Sequence, residues 1–568
     1  MSAAKERLDL LLAGDDGKPT LEEGLRGDSL EKAPRQKMPG HNLRLHGGDA
    51  SFLPTQRWGI IAPEGRVGDR MLEAIQPLQK LREAEQGAPA TIFRVPSEMR
   101  AKDAKAWKDS FYVGMEEEEQ PYYLMLLGDM HHTALELQHA LSNDALVGRV
   151  HFADEGGEVD LARYAAYADK VVRYARYATA EPAADLLYYV APDGSAATNL
   201  GRSKLIDPSF EKSTEALAGG KSKAASVRNL EADTVSELLE GTGGARPSVL
   251  LSVSHGLGAP RRGWKSEEEQ WRRQGAMMIG PGEVLDAERL HDQSFLPGGM
   301  WFFTACFGMG TPRESAYHPW LSELRKADAF SGDVNAVLAN LPKPNERGFL
   351  AALPQAALAN PLGPLAVIGH IDLAWTYAFT GGANRSESKE ARIRILLNML
   401  LRGSRVGVAL NKLMDDYREA NQALTASYDT QERARIEGRP SPIAPAELAH
   451  QWMLRNDLRG YVVLGDPAAQ LPLQQFARQA AVTREPTPPE VRSDATTVSA
   501  PEPALEPVTA TLTVAGSSDA LERERVVLET LCGDEAPKRI AERAGIPLST
   551  LWMWVEAYRA GGRARLEE

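Results

Sequence analysis

Cysteine is almost absent: the 568 residues hold two, Cys306 and Cys532. Two thiols so far apart supply no disulfide framework, and a chain that keeps them reduced suits a reducing compartment. No run approaches the ~18 apolar residues of a membrane span, and the charged start MSAAKERLDLLLAGDDGKP has no signal-peptide core. The expectation is a cytoplasmic protein without membrane attachment. Metal patterns are missing too: there is no HExxH and no CxxC, and His131-His132 with Asp129 makes no closed ligand set. Gly219-Gly220-Lys221-Ser222 has the end of a phosphate loop, but Glu215 stands where its first glycine belongs and no strand is read before it. No metal or cofactor is expected. Basic charge is in deficit, with 65 Lys and Arg against 78 Asp and Glu and a net charge of −13. That balance argues against non-specific nucleic-acid binding by the whole molecule.

What is present is ordinary globular composition, 43% hydrophobic and 25% charged, long enough for several domains. Residues 1–52 are polar with scattered Gly and Pro and read as a flexible leader or pro-segment. From Arg57 strand-like and helical stretches alternate: Trp58-Gly59-Ile60-Ile61-Ala62-Pro63, a helix over 70–83, Tyr122 to Leu127, a helix over 161–177, and Leu187 to Val190. Residues 216–240 read as polar helix. This alternation predicts an α/β fold, a mainly parallel sheet with helices on both faces, over residues 53–475. Two long helices are expected over 386–402 and 406–424, split by Gly403-Ser404. Residues 476–518, with EPTPPEVRSD and APEPALEP, have linker composition. Residues 519–568 turn helical again and predict a small all-α domain.

Two apolar strands end on reactive side chains. Ser248 to Ser254 leads into His255-Gly256, and Met300 to Ala305 leads into Cys306-Phe307-Gly308. Continuous apolar runs are the mark of buried parallel strands, whose carboxyl ends carry the chemistry in open α/β sheets. Neighbouring strands would bring an imidazole and a thiol to one edge. A free thiol is only slightly ionised near neutral pH, and a nearby imidazole raises that fraction and can protonate a leaving amine. Cys306 is therefore the candidate nucleophile and His255 its base. His370 and Asp372 follow a further apolar strand predicted to end at the same edge, where Trp375 forms pocket wall or core. Asp129, after its own strand, either orients His255 or caps a helix.

Thr304-Ala305-Cys306-Phe307-Gly308 and Ser254-His255-Gly256, 51 residues apart, resemble the catalytic segments of the caspase-like cysteine peptidases, whose histidine lies about 50 residues before the cysteine. Leu365 to Trp375 and Tyr461-Val462-Val463-Leu464-Gly465-Asp466-Pro467 resemble segments of the gingipain and CHAT-type branch. The resemblance covers roughly 57–472. It departs from caspases at Thr304, where they carry Gln, and at Phe307, so caspase-type aspartate specificity is not implied. It implies a caspase-like three-layer fold, an oxyanion hole from the Gly256 and Cys306 N–H groups, and a pocket for the residue before the scissile bond lined by Asp372, His370 and Trp375. With Asp372 there, the expected preference is for Arg or Lys. The resemblance also implies a protein substrate and a role in regulated processing, such as prokaryotic antiviral defence or cell death.

Lys538-Arg539-Ile540-Ala541, Gly545-Ile546, Thr550-Leu551, Trp554-Val555 and Tyr558 resemble the helix-turn-helix of insertion-element transposases. Residues 521–568 carry eight Arg and Lys against nine Asp and Glu, so recruitment of a protein is as compatible with this domain as recruitment of DNA. A DNA-binding regulator or an interaction scaffold built on an inactive caspase-like domain stays open as the alternative.

Overall fold

The computed structural model describes residues 7–21, 24–26, 29, 49–116, 119–176, 181–260, 263–327, 333–341, 347–381 and 387–474, with 526–527, 537–546, 550–551 and 554–555 toward the C-terminus. Contacts divide the chain into two compact units, 1–108 with 118–485, and 109–117 with 486–568.

A ten-stranded sheet organises the larger unit. Its strands in chain order are β1 (Trp58–Pro63), β2 (Thr91–Val95), β3 (Tyr123–Leu127), β4 (Leu146–Val150), β5 (Asp185–Val190), β6 (Val227–Asn229), β7 (Ser248–Val253), β8 (Met300–Thr304), β9 (Ala366–His370) and β10 (Tyr461–Gly465). They lie side by side as β2-β1-β3-β4-β10-β9-β8-β7-β5-β6. Every adjacent pair is parallel except β9 with β10. The sheet is thus two parallel halves running in opposite directions and joined at that antiparallel seam. Nearly every strand residue is buried except in β2 and β6. That explains the unbroken apolar runs, since a parallel strand covered by helices on both faces has no solvent side.

The predicted α/β class and its flanking helices are present. The helix pair read around Gly403-Ser404 is Ala391–Leu401 and Val406–Ile436, and Pro445–Arg459 packs against the second of them. Helix 70–83 is two helices, Gly65–Ala74 and Gln76–Gln86, with Pro77 in the first turn of the second, where its missing N–H costs nothing. Residues 216–240 are corrected: the helix Asp207–Ala218 ends there, β6 follows, and Val235–Thr242 is helical. β6 is half-exposed at the sheet edge, so it lacks the apolar run that marks its neighbours. Asp466, next after β10, ties the first half together: it accepts from the Trp58 indole at 3.0 Å and pairs with the buried Arg82 guanidinium.

Residues 7–21 do not behave as a free leader. Leu12–Ala13 is the edge of a four-stranded sheet ordered Glu283–Leu285, Met277–Gly280, His255–Leu257, Leu12–Ala13, and Leu10 to Ala13 are fully buried. The linker 476–518 lies outside the described residues. In the smaller unit, Pro537–Ala544 is helical. Val526, Val527, Ile540, Ala541, Leu551 and Val555 cluster, with Ile546 and Trp554 against them.

Candidate active site

β7 and β8 pair in register, Val253 opposite Thr304, so His255 and Cys306 each stand two residues past a matched pair, at one sheet edge. After Val253 the chain turns into the short strand His255–Leu257 of the second sheet. Gly256 passes so close to the nucleophile's backbone that a Cβ there would lie 1.9 Å from the Cys306 carbonyl oxygen. No other residue fits. On the far side of Cys306, Phe307 adopts φ 55° and donates its N–H to the Asp372 carbonyl at 2.8 Å. A left-handed conformation in a bulky residue is strained and is held by its surroundings.

The imidazole is oriented from β5. The turn after that strand places Ser195 Oγ 2.8 Å and Asp193 Oδ2 3.6 Å from His255 Nε2. Thr198 Oγ1 donates to Asp193 Oδ1 at 2.5 Å and lies 2.9 Å from Ser195 Oγ. With the Thr198 proton committed to the carboxylate, Ser195 can donate to Thr198 and accept from an Nε2–H of His255. A proton on Nε2 would be held by Ser195 and Asp193 and would leave the lone pair on Nδ1, a buried atom. Burial lowers His255 to about 4, against the raising effects of Asp193 and of a hydrogen bond to the Leu11 backbone. Burial likewise pushes the Cys306 thiol well above its ordinary value, although its Sγ donates to the Ala374 carbonyl at 3.5 Å. At neutral pH the pair rests uncharged.

The backbone donors beside the thiol are occupied. Gly256 N–H and Cys306 N–H both donate to one oxygen, the Leu11 carbonyl, at 3.0 and 3.2 Å. Leu12 and Ala13 then pair with Gly256 and Leu257, while Leu10 makes an antiparallel bridge to Trp375.

The three predicted pocket residues surround this edge from behind. The His370 ring lies within 3.1 Å of the Asp372 carbonyl and 3.0 Å of the Asp457 carbonyl and is fully buried; burial lowers it to about 4 against the raising effect of those two carbonyls. The Asp372 carboxylate accepts from Ser315 Oγ at 2.7 Å, Leu373 N–H at 2.8 Å and Ala316 N–H at 3.0 Å. Burial raises it to about 7. Trp375 is wholly buried against Tyr317 and Trp320, and its backbone N–H donates to Asp457 at 2.8 Å. Asp457 also accepts from Ala378 N–H at 2.9 Å, so it pins the segment carrying Trp375. Asp129 does not reach His255. It accepts from the backbone N–H groups of His131 and His132, meets the His132 ring at 2.6 Å, and pairs with Arg347.

Asp193, Ser195 and Leu11 were missed from sequence. The signal for the first two was Asp193-Gly194-Ser195 just beyond the apolar strand β5, the same kind of strand end that marked His255 and Cys306. Among the described residues, no group of three or more His, Cys, Asp or Glu could hold a metal ion, and no helix is long and apolar enough to cross a membrane.

No family model matches the chain, and no curated protein matches it. Among solved structures it is similar to the Arg-specific cysteine proteinase gingipain R, at 14% identity and TM-score 0.42, covering 73% of this chain and 78% of that one. It is also similar to a complex of the pro- and mature domains of the Porphyromonas gingivalis enzyme, at 14% identity and TM-score 0.40, covering 73% and 79%. A third structure, described as a protease, is similar at 13% identity and TM-score 0.39, covering 73% and 78%. The roles of residues in this chain rest on its own geometry.

Proposed function

We propose that the chain is a cysteine endopeptidase with Cys306 as nucleophile and His255 as general base. The observation that carries this reading is the convergence of two backbone N–H groups, Gly256 and Cys306, on a single carbonyl oxygen beside the thiol. Donors so placed stabilise the negative oxygen that develops when a peptide carbonyl is attacked. In the proposed cycle the Cys306 thiol gives its proton to His255 Nδ1 as the Sγ–C bond forms. The carbonyl oxygen takes the electron pair and is held by the two N–H groups. Collapse breaks the C–N bond, and the imidazolium returns its proton to the leaving amine. Water then attacks the thioester, losing a proton to His255, and Sγ leaves to regain it.

Ser195, Thr198 and Asp193 serve this cycle by keeping the proton on Nε2, so that Nδ1 is free to accept. The proposed setting is the cytoplasm. The proposed task is regulated cleavage of a protein substrate, with 519–568 recruiting a protein or DNA partner across the 476–518 linker. Incubation with a proteome-derived peptide library tests the reading. Wild-type protein should produce cuts that Cys306→Ala does not, and equal cutting by both would refute it.

A further inference from the structure

We propose that residues Leu10 to Ala13 occupy the groove as a substrate does, and that the site therefore reads a leucine-type side chain, not a basic one, before the scissile bond. This rests on the peptidase reading above and names its substrate class.

Three observations fix the register. The Leu11 carbonyl, the group that attack would convert to an oxyanion, receives both backbone donors. Upstream, Leu10 bridges antiparallel to Trp375. Downstream, Leu12 and Ala13 pair with Gly256 and Leu257, and Gly258 N–H donates to the Ala13 carbonyl at 2.6 Å. Recognition of an extended chain by main-chain hydrogen bonds on both sides of one carbonyl gives affinity, and the side-chain pockets give specificity. In this register Leu11 precedes the bond in position and Leu12 follows it.

The side chain before that bond is aliphatic and fully buried. Asp372, the residue that would read a basic side chain, has three inward hydrogen bonds to Ser315, Ala316 and Leu373. An arginine in place of the buried Leu11 would need a counter-charge, and the Asp372 carboxylate is already held by these three donors; a leucine needs none. Beyond the groove the segment is anchored by a hairpin, with Gly14 N–H on Lys18 O at 2.9 Å and Thr20 N–H on Leu12 O at 2.8 Å. It therefore competes with any substrate as a tethered occupant. Its presence also keeps the site dry, in accord with the uncharged thiol and imidazole.

The test uses the full chain and two peptidyl acyloxymethyl ketones, acetyl-Leu-Leu and acetyl-Leu-Arg, with labelling of Cys306 followed by intact mass. The Leu probe should label at least tenfold faster than the Arg probe. Leu11→Asp, which cannot stay buried, should raise the Leu-probe rate at least tenfold, and Leu11→Gly serves the same purpose should the aspartate variant fail to fold. Faster or equal labelling by the Arg probe would overturn the specificity, and unchanged rates in both folded Leu11 variants would overturn the occupancy. If neither probe labels Cys306 in any variant while iodoacetamide does, the peptidase reading falls and takes this proposal with it.

Discussion

Gly256→Ala is the sharpest perturbation the site offers. The added Cβ would meet the Cys306 carbonyl oxygen at 1.9 Å, its carbonyl carbon at 2.9 Å and its nitrogen at 3.4 Å. All three are backbone atoms, so no side chain can rotate away. Reaching ordinary contact requires the two strand ends to separate by roughly 1.5 Å, starting from that 1.9 Å approach. Overpacking of this kind costs about 1–3 kcal/mol in stability. The catalytic cost should be larger in proportion, because the same movement pulls apart the two N–H groups that share one oxygen. Losing one such donor typically costs about 10²–10³ in rate, and a 1 Å misplacement of reacting groups about 10². The expected result is a fall of about 10² or more in peptide cleavage or Cys306 acylation, in a protein still folded by circular dichroism and slightly weaker toward urea. Gly244→Ala is the control: nothing lies within 4 Å of its Cβ. Activity within threefold of wild type in a folded Gly256→Ala protein would refute the claim that Gly256 and Cys306 together form the oxyanion site.

Cys306→Ala and His255→Ala should each abolish cleavage without unfolding the protein, since the two act as one unit. Cleavage retained by Cys306→Ala would show that another group attacks. Ser195→Ala should lower kcat by roughly 10-fold or more with little change in KM, while ¹⁵N spectra show the His255 ring leaving a single Nε2–H tautomer; an unchanged spectrum would remove Ser195 from the relay. For His370 the folded state resists protonation down to about 4, whereas an unfolded histidine takes its proton near 6.5. Between those values the unfolded state binds more protons, so wild type should lose roughly 2–3 kcal/mol relative to His370→Gln between pH 7 and 4.5, read as the difference in urea unfolding. A pH-independent difference would contradict a buried neutral imidazole. Truncation near Ala480 should leave peptide cleavage intact, as should Cys532→Ser; loss in either case would mean that the C-terminal part belongs to the catalytic fold.

The strand ends were legible because physics makes them so. A strand buried on both faces must be apolar throughout, so β7 and β8 stand out, and the first polar residue after each is a candidate by position. The reversal of the sheet at β9 and β10 was not legible, because an apolar run carries no direction. That gap left Asp129 open between orienting His255 and capping, of which the structure shows the second, and it left Asp193 unread. Both are aspartates just after apolar strands, but β3 lies in one parallel half and β5 in the other, beside β7. Only pairing tells them apart. Of the flexible leader or pro-segment read over 1–52, the flexible reading fails for residues 7–21, for a different reason. Its overall composition is polar, and the four-residue core Leu10 to Ala13 is too short to register as an element. Its burial depends on a groove assembled from residues hundreds of positions away.

The residues behind the groove divide labour in a way the sequence did not suggest. Asp372, His370 and Asp457 are buried and polar: the Asp457 carboxylate takes the N–H groups of Trp375 and Ala378, the Asp372 carboxylate takes Ser315, Ala316 and Leu373, the Asp372 carbonyl takes Phe307 N–H, and the His370 ring lies between the Asp372 and Asp457 carbonyls. A buried polar group left unpaired would cost about 1–3 kcal/mol, so these bonds are strong constraints on where those segments run. Phe307 is held in its left-handed turn by the Asp372 carbonyl, directly after the nucleophile. Trp375 is held by Asp457, and its backbone bridges to Leu10. The polar network thus fixes main chain around the groove, and Leu11 is fully buried in it. If the proposed recognition through backbone bonds and a leucine side chain holds, an extended leucine-rich segment fills the site, and Leu10-Leu11-Leu12 is one within the chain itself.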